Sequence, residues 1–131
     1  MVEAMSDARS VTERYCTAWL EGDLETLLDC YGDDIVLHYF GANQLSGDHV
    51  GKDAAIAALV AGATITTREL LSVDDIMVGD GTSTIVATER FTRDDESHVL
   101  TRVLRYRIEH GRFVECWLYD EDQALVDHLW R

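Results

Sequence analysis

Residues 68–119, RELLSVDDIMVGDGTSTIVATERFTRDDESHVLTRVLRYRIEHGRFVECWLY, decide the fold of this 131-residue chain. Four stretches of this segment are rich in β-branched and aromatic residues, which favour strands. Turn signals separate them at residues 79–81 (Gly-Asp-Gly), 93–96 (Arg-Asp-Asp-Glu) and 110–111 (His-Gly). The segment therefore predicts an antiparallel meander of four strands.

Amphipathic helices precede this meander. The sequence SVTE from Ser10 has the form of a capping box, and it predicts a helix that ends at Gly22. The residues that recur at the spacing of one helix face are Val11, Tyr15, Ala18 and Trp19. Asp23 can cap a shorter second helix, so the two helices are expected to form a hairpin.

The remaining segments complete an α+β pattern. Residues 35–40 (IVLHYF) predict a strand, a Gly-rich loop follows, and residues 52–62 predict a third helix. The Asp-x-x-Gln form of residues 120–123 predicts the cap of a short closing helix. Since the helices alone can cover the apolar face of the sheet, we expect a curved mixed sheet wrapped around the N-terminal helices. Residues 1–131 are expected to form one domain.

The charge of the chain limits its partners. Twenty-five acidic and eleven basic residues give a formal net charge of -14. Such a charge repels phosphate backbones and anionic lipids, so neither nucleic acid nor a membrane surface is an expected partner. Because no apolar run approaches the roughly 20 residues that span a bilayer, and no signal-peptide core is recognisable, we expect a cytoplasmic location.

The cysteine and histidine spacings predict no metal site. Cys16, Cys30 and Cys116 are an odd number without CxxC spacing, so they are expected to be buried thiols. The histidines outside the first strand lie in predicted loops, turns or the closing helix, without partners at ligand spacing. They are His49, His98, His110 and His128.

Three stretches of the chain resemble a known family. Residues 15–40 (YCTAWLEGDLETLLDCYGDDIVLHYF) resemble the opening of ketosteroid isomerases and SnoaL-like polyketide cyclases. Residues 38–59 (HYFGANQLSGDHVGKDAAIAAL) and 111–125 (GRFVECWLYDEDQAL) are similar to the middle and final segments of the SnoaL-like branch. The chain thus resembles the SnoaL-like, ketosteroid-isomerase-like domains of the nuclear transport factor 2-like superfamily.

The resemblance implies a cone-shaped barrel of the cystatin-like type, with an apolar pocket open at one end. It also implies a small apolar ligand, no cofactor and a homodimer. This scaffold hosts isomerases, cyclases, dehydratases, epoxide hydrolases and non-catalytic binding domains, so the fold alone does not give the function. Each site residue has to be judged by its own chemistry.

The isomerase positions are partly kept. Tyr15 stands where the resemblance places a tyrosine that donates a hydrogen bond to a developing enolate, although a core aromatic would also suit this helix face. Tyr39 stands at the position of the general base and Leu104 at that of the second acid. A phenol with an ordinary pKa of about 10 is a poor base at neutral pH, and leucine has no proton to donate. Steroid isomerase chemistry is therefore not favoured.

The epoxide hydrolase and cyclase positions are also partly kept. Arg90 matches the arginine of the Asp-Arg-Asp set of limonene epoxide hydrolases, but Thr92 and Leu118 stand at its two aspartates. Leu37 and Tyr39 stand at the residues that position water. The acid-base aspartate of SnoaL-type cyclases is also expected near Leu118. Neither mechanism is favoured at these positions.

Asp120 is a candidate for proton transfer. It shares a strand face with Cys116 and Leu118 because side chains alternate along a strand, so it can reach the mouth of the pocket. Desolvation there would raise its pKa into a useful range. The capping role at the start of the closing helix is the stronger interpretation of an aspartate at this position.

His38 is a second candidate for proton transfer. An imidazole with an ordinary pKa of about 6.5 is the best acid-base group at neutral pH. Alternation places His38 on the face opposite Leu37 and Tyr39, so only one of these sets points into the pocket. If His38 points inward, Phe40 joins it; otherwise His38 is an ordinary hydrogen-bonded histidine.

The predicted pocket lining combines aromatic, aliphatic and arginine side chains. Its members are Trp19, Tyr39, Phe40, Arg90, Arg102, Leu104, Cys116 and Leu118. Glu89 and Arg102 lie on adjacent predicted strands, where they can pair across the ladder. Inside the curve of the sheet this pair would anchor a carbonyl or carboxylate, whereas outside, as the sequence favours, it is a surface ion pair.

Three functions follow as alternatives. One of them, a dimeric scaffold that binds a protein partner, would need an exposed apolar patch. A cofactor-free enzyme acting on an apolar carbonyl compound would use Tyr15 as hydrogen-bond donor and His38 or Asp120 as proton shuttle. A non-catalytic ligand-binding or accessory domain would keep the pocket alone, which the apolar Leu104 and Leu118 favour. An enzyme is expected to bring at least two polar groups with shifted pKa values to one cavity.

Overall fold

The computed structural model describes residues 2–131, within which it has four helices and six strands. The helices are α1 (Val2–Glu21), α2 (Leu24–Asp29), α3 (Lys52–Ile65) and α4 (Gln123–Leu129). The strands are β1 (Tyr31–Tyr39), β2 (Gly47–Val50), β3 (Thr67–Val78), β4 (Thr82–Arg93), β5 (Glu96–Glu109) and β6 (Arg112–Asp120). Compared with the predicted order, the structure adds the short strand β2, which lies in the predicted Gly-rich loop.

Strands β3 to β6 form the predicted meander. They pair antiparallel in consecutive order, and their connections fall at residues 79–81, 94–95 and 110–111. His110 and Gly111 have φ angles of 52° and 70°, because a two-residue turn between twisted antiparallel strands requires positive φ. The three turn signals in the sequence therefore mark the hairpins correctly.

The sheet is curved and open. Strand β1 lies parallel to β6, and β2 pairs antiparallel with β1, which gives the order β2-β1-β6-β5-β4-β3. Two register shifts of β3 against β4 mark bulges, which bend a strand. The predicted α+β class with a curved mixed sheet is confirmed. In residues 2–131 the curved sheet does not close into a complete barrel, because it ends at the four-residue β2, which does not pair with β3.

The concave face of the sheet is buried under the helices. Along β4, Ile85, Ala87, Glu89 and Phe91 are buried while Arg90 is exposed, as the alternation of strand side chains requires. Helix α1 packs against β3 and β4, and α3 packs against β1. Every second strand residue therefore points toward the helices.

Helix α1 begins at Val2 and not at Ser10 as predicted. Residues 3–9 are mostly strong helix formers, and Ala8 is fully buried, so propensity and packing both extend the helix toward the N-terminus. Ser10 lies exposed within the helix and does not cap it.

Helix α3 continues past Gly62 to Ile65. Gly62 is buried within the helix and faces Leu45 and Arg68, which a Cβ atom there would meet at the ordinary contact distances of 3.4 and 3.6 Å. This glycine therefore does not mark the C-terminus of the helix.

Helix α4 is capped by Asp122, whose carboxylate accepts a hydrogen bond from the Leu125 N–H at 3.0 Å. The prediction that Asp120 caps this helix is wrong, because β6 continues to Asp120 and the helix starts two residues later. The carboxylate of Asp120 is bound elsewhere.

The three cysteines are buried and unpaired, as the sequence predicts. In the described part of the chain, no helix has the length and apolar character needed to cross a bilayer.

Candidate functional site

A cavity of about 240 Å³ lies between the concave face of the sheet and helices α1, α2 and α3. Most of its walls are aromatic or aliphatic. The residues that line it are Tyr15, Trp19, Leu24, Leu27, Tyr31, Leu37, Tyr39, Leu59, Ala63, Arg68, Glu89, Arg102, Leu104, Tyr106, Cys116 and Leu118. Apolar walls with a few polar groups are the usual composition of a small-molecule site.

Strand register divides the cavity into three layers. Residues two apart on a strand point to the same side, so alternate residues of β5 and β6 face the cavity together. The cross-strand pairs, in order along the strands, are Arg102 with Asp120, Leu104 with Leu118, and Tyr106 with Cys116. A charged layer, an apolar layer and a phenol layer therefore follow one another at intervals of about 6.5 Å.

The charged layer extends across four strands as a row of alternating charges, Arg68, Glu89, Arg102 and Asp120, here called the charged row. Arg68 Nη2 donates to both oxygens of Glu89 at 3.0 and 3.2 Å, and Arg102 Nη1 donates to Glu89 Oε2 at 3.1 Å. Arg102 also donates to both oxygens of Asp120, through Nε and Nη2. The side chains of Glu89 and Arg102 are each 1% exposed, so the expectation of a surface pair is wrong.

The neighbours of each group in the charged row fix its ionisation. Burial alone raises the pKa of Glu89, but the charges of Arg68 and Arg102 outweigh burial and hold this pKa below its usual value. Burial lowers the pKa of Arg102, yet Glu89 and Asp120 overcompensate and raise it. Glu89 is therefore an ionised carboxylate fixed between two guanidinium groups.

Arg68 ends the charged row on the edge strand β3. Its guanidinium carbon lies 5.4 Å from the ring centre of Phe91 and 6.0 Å from that of Trp130, close enough for cation-π attraction. Its Nε atom is buried and makes no hydrogen bond to any residue that the structure describes. The Arg68 side chain is thus held at the charged end by Glu89 and by two aromatic rings.

The opposite end of the cavity holds the phenols of Tyr15, Tyr31 and Tyr106. The hydroxyl oxygens of Tyr15 and Tyr31 are 3.0 Å apart and share a hydrogen bond. The Tyr106 hydroxyl is buried and forms no hydrogen bond of ordinary geometry with residues 2–131, although Tyr15 and Cys116 lie near enough to affect its pKa. Burial raises the pKa of all three phenols, so each keeps its proton at neutral pH. This end therefore offers hydrogen-bond donors.

Most of the predicted pocket residues lie on the cavity. They are Tyr15, Trp19, Tyr39, Arg102, Leu104, Cys116 and Leu118. Burial raises the pKa of Tyr39 and of Cys116 to about 12, so neither ionises near neutral pH. Asp120 does not line the cavity, and its carboxylate meets the site through Arg102.

His38, Phe40 and Arg90 lie on the outer face of the sheet, so their predicted places in the pocket are wrong. The parallel register of β1 on β6 places Leu37 beside Cys116 and Tyr39 beside Leu118, which fixes these residues as the inward set. Alternation then turns His38 and Phe40 outward.

Phe40 and Arg90 have partners on that outer face. Phe40 stacks on Tyr119 with ring centres 5.2 Å apart. Arg90 donates to Glu69 at 2.7 Å across the β3-β4 pair, and both side chains are exposed. Arg90 therefore belongs to a surface ion pair.

His38 forms a separate cluster on the outer face. Its Nδ1 lies 2.7 Å from Asp48 Oδ1, its Nε2 lies 2.5 Å from Glu115 Oε2, and its ring stacks on Trp117 with centres 5.4 Å apart. Burial lowers the pKa of His38, but the hydrogen bonds to Glu115 and Asp48 outweigh burial and raise it. His38 therefore links β1, β2 and β6 and has no contact with the cavity.

Replacing Asp48 with asparagine should lower the pKa of His38, because one of its two carboxylate partners becomes neutral. A raised pKa means that this interaction stabilises the fold fully below the unfolded histidine pKa of about 6.5, and that the effect is lost as pH rises through the folded pKa. The loss of stability in Asp48→Asn should thus be larger in mild acid than in base. NMR titration of the His38 ring measures the change in its pKa. Asp34→Asn, at an exposed position of β1, is the control. An unchanged His38 pKa in Asp48→Asn would contradict the contact between these two side chains.

Three polar cavity residues were not proposed from the sequence, namely Tyr31, Arg68 and Tyr106. Strand alternation can find Tyr106, since it lies two residues beyond Leu104 on the same face of β5. Tyr31 precedes the predicted start of its strand, and Arg68 precedes the bulges of β3, so no periodicity in the sequence marks either one.

The described residues do not assemble a metal site. Within residues 2–131 no group of three or more His, Cys, Asp or Glu side chains is placed to hold a metal ion. The carboxylates at the charged end, Glu89 and Asp120, are each bound by arginine. The cavity thus presents hydrogen-bond donors rather than metal ligands.

The SnoaL-like domain family matches residues 12–116 of the chain. The matched segment contains helices α2 and α3, the second half of α1, and the strands from β1 to the middle of β6, so it includes nearly the whole cavity wall. No curated protein sequence gives a significant match.

Solved structures share the fold over nearly the whole chain. A cystatin-like protein of unknown function from Xanthomonas campestris is 26% identical, with a TM-score of 0.87 over 94% of this chain and 97% of that one. An NTF2-like protein of unknown function from Burkholderia pseudomallei is 22% identical, with a TM-score of 0.82 over 96% and 98%. An epoxide hydrolase of the LEH-like type from M. tuberculosis is 16% identical, with a TM-score of 0.70 over 96% and 92%.

Proposed function

The chain belongs to the SnoaL-like domain family, and we propose that it binds a small, largely apolar molecule in the cavity between its sheet and its helices. The observation that carries this proposal is the arrangement of the cavity, an apolar layer between hydrogen-bond donors at both ends. The cavity volume of about 240 Å³ lies below the usual range of roughly 300–1,000 Å³ for drug-sized ligands. The ligand is therefore expected to be small.

The ionisable groups favour binding over acid-base chemistry. Near neutral pH a general acid or base works best with a pKa near the operating pH. The phenols and Cys116 have pKa values raised far above neutrality, and Glu89 is held ionised by two arginines. His38, the one group with a suitable ordinary pKa proposed from the sequence, faces outward. The cavity thus provides donors that orient a ligand.

Filling the apolar layer should weaken ligand binding. Leu104→Phe places a larger ring between the two polar ends, so affinity should fall at least about tenfold for any ligand found. Ligands are identified by thermal shift with a panel of one- and two-ring hydrocarbons, carbonyl compounds and epoxides. A ligand at about 100 times its Kd stabilises the fold by about 2.7 kcal/mol, which is readily seen. Isothermal titration then gives the affinities.

Val103→Phe is the matched control for this experiment, because Val103 neighbours Leu104 on β5 and faces the outer side of the sheet. It should leave ligand affinity unchanged. A larger side chain in a packed core lowers the free energy of unfolding by about 1–3 kcal/mol. Melting curves of both variants therefore verify that each is folded. Equal ligand affinity in wild type and Leu104→Phe places the ligand elsewhere and refutes the proposal.

A second function, hydrolysis of an epoxide, is favoured by one feature of the charged row. Arg102 donates to a carboxylate on either side, Glu89 and Asp120, which reproduces in composition the Asp-Arg-Asp set of limonene epoxide hydrolases at other positions. In this reaction one carboxylate, Glu89, would accept a proton from the attacking water and the acid form of the other would give one to the ring oxygen, yielding a diol. The ion pairs on both carboxylates oppose this role in the resting protein.

Diol formation from the epoxides of the panel separates the two functions. Mass spectrometry detects the diol. Hydrolysis is supported if wild type and the outer-face variant Glu69→Gln form the diol and Asp120→Asn does not. Epoxide binding without diol formation supports the binding function.

The homodimer and the cytoplasmic location remain predictions, which sedimentation and cell fractionation can check.

A further inference from the structure

Two hydrogen-bond donors on the cavity wall are accessible and have no acceptor. Within residues 2–131 no group accepts a hydrogen bond from the Tyr39 hydroxyl or from Nη1 of Arg68, because Arg68 binds Glu89 through Nη2 alone. Both residues line the cavity, and neither of these atoms is enclosed on all sides, in contrast to the Arg68 Nε and the Tyr106 hydroxyl. A molecule in the cavity can therefore accept hydrogen bonds from both.

The two donors lie at the charged end of the cavity. Burial raises the pKa of Tyr39 to about 12, and the charges of Arg68 and Arg102 partly offset this effect, which indicates that the phenol lies near both guanidinium groups. Tyr39 thus keeps its proton at neutral pH and offers an O–H group. The adjoining wall is apolar and consists of Leu37, Leu104 and Leu118. A ligand that meets both donors therefore has its acceptor group attached to an apolar body.

The order of charges in the charged row favours an anion at this end. The charges alternate from Asp120 through Arg102 and Glu89 to Arg68, so the row ends with a positive charge on the edge strand β3. Arg102 pairs with two carboxylates, whereas the one carboxylate that pairs with Arg68 is shared with Arg102. A carboxylate beside Nη1 of Arg68 would continue the alternation.

A carboxylate also fits the two donors in number and charge. Its two oxygens can accept hydrogen bonds from the guanidinium and the phenol together, and hydrogen bonds between charged groups are stronger than neutral ones. An anion that leaves water needs this compensation. Charges more than about 8 Å away are screened at physiological ionic strength, so the adjacent Arg68 outweighs the net charge of -14 that is spread over the chain.

We infer that the ligand is a small aromatic or branched aliphatic monocarboxylate, with its carboxylate bound by Arg68 and Tyr39 and its apolar body packed against the leucine wall. This inference rests on the proposed binding function and adds the charge of the ligand and the two residues that select it. A cavity of about 240 Å³ suits a single ring with a short substituent.

Three benzene derivatives of similar size test the charge of the ligand by titration calorimetry. They are 4-ethylbenzoate, the neutral 4-ethylbenzamide and the apolar 4-ethyltoluene. An ionic hydrogen bond contributes more than a neutral one, so 4-ethylbenzoate should bind at least about tenfold tighter than 4-ethylbenzamide. 4-Ethyltoluene should bind most weakly, because it has no acceptor.

Two variants assign the donors. Arg68→Met removes the cation while Glu89 keeps its charge and its bond to Arg102, so this variant should reverse the preference and bind 4-ethylbenzamide tighter than 4-ethylbenzoate. Tyr39→Phe removes only a hydroxyl, and should weaken 4-ethylbenzoate about fivefold or more while changing 4-ethyltoluene by less than about twofold. Arg90→Met and Tyr119→Phe, the same substitutions on the outer face, are the matched controls and should change no affinity.

Each outcome decides a different point. If wild type binds 4-ethylbenzamide as tightly as 4-ethylbenzoate, the carboxylate ligand is wrong and the apolar binding function stands. A preference for 4-ethylbenzoate that persists in folded Arg68→Met also overturns the inference, because the anion then binds elsewhere. If melting curves show that Arg68→Met does not fold, Tyr39→Phe decides, and an unchanged affinity for 4-ethylbenzoate overturns the inference. Failure of all three compounds to bind overturns the proposed function itself.

Discussion

Replacing Glu89 with glutamine is expected to lower the free energy of unfolding by about 3–5 kcal/mol, the usual result of removing one partner from a buried ion pair. The side chain is 1% exposed and lies between Arg68 and Arg102, so its neutralisation removes the carboxylate that pairs with Arg68 and one of the two that pair with Arg102. Urea denaturation followed by circular dichroism measures the change. A second buried carboxylate, Asp120, remains on Arg102, which allows the variant to fold.

The matched control is Glu69→Gln on the neighbouring strand β3. Glu69 pairs with Arg90 on the outer face, where the two side chains are 59% and 44% exposed. Solvent screens such a pair, so this substitution should cost less than about 1 kcal/mol. Equal losses in Glu89→Gln and Glu69→Gln would mean that the burial of the charged row does not determine its energy.

The effect of Glu89→Gln should also depend on pH. Because the folded pKa of Glu89 lies below its usual value, its contribution is fully present above the unfolded glutamate pKa of about 4.3. It is lost as pH falls through the lower folded pKa. The stability difference between wild type and variant should therefore be constant near neutrality and shrink in acid; a difference that grows below pH 4, by the same linkage, would contradict the lowered pKa.

The parts of the fold that local patterns specify were predicted well. The three hairpin turns of the meander depend on short sequences with positive φ or strong turn preference, so the sequence marks them directly. The short strand β2 was missed because its pairing depends on β1, a partner that no local pattern reveals. Helix α3 was ended too early because Gly62 was interpreted as a C-terminal glycine, whereas it lies buried within the helix against Leu45 and Arg68.

In the candidate site, too, local features could be predicted from the sequence and long-range features could not. The alternation of side chains correctly grouped Cys116, Leu118 and Asp120 on one face of β6. It could not tell which face of β1 points inward, so the direction of the His38 side chain could not be predicted. That choice is fixed by the parallel register of β1 on β6, a long-range feature. Likewise the pair of Glu89 and Arg102 was predicted, while its burial depends on long-range packing, such as that of the Trp130 ring on Arg102.

Replacing Trp130 with alanine is the other change expected to have a large effect, a loss of about 3–5 kcal/mol in the free energy of unfolding. Trp130 follows helix α4 directly and is 1% exposed. Its ring stacks on Phe91 and Tyr39 with centres 5.7 and 6.1 Å away, and Nε1 donates to Thr66 Oγ1 at 3.1 Å. Alanine leaves a buried cavity, and the melting temperature should fall by about 10 °C or more.

The size of this loss follows from the place of Trp130 between the C-terminus and the charged row. The Arg102 guanidinium carbon lies 5.2 Å from its ring centre, so alanine also removes the aromatic surface that contacts a buried cation.

Two further variants are the controls. Trp130→Phe keeps a ring but loses the hydrogen bond to Thr66, and should lower the free energy of unfolding by about 1–2 kcal/mol. Trp117→Ala removes a partly exposed ring from the outer face and should cost less than Trp130→Ala. If Trp130→Ala melts within a few degrees of wild type, the C-terminal segment does not support the charged end of the cavity.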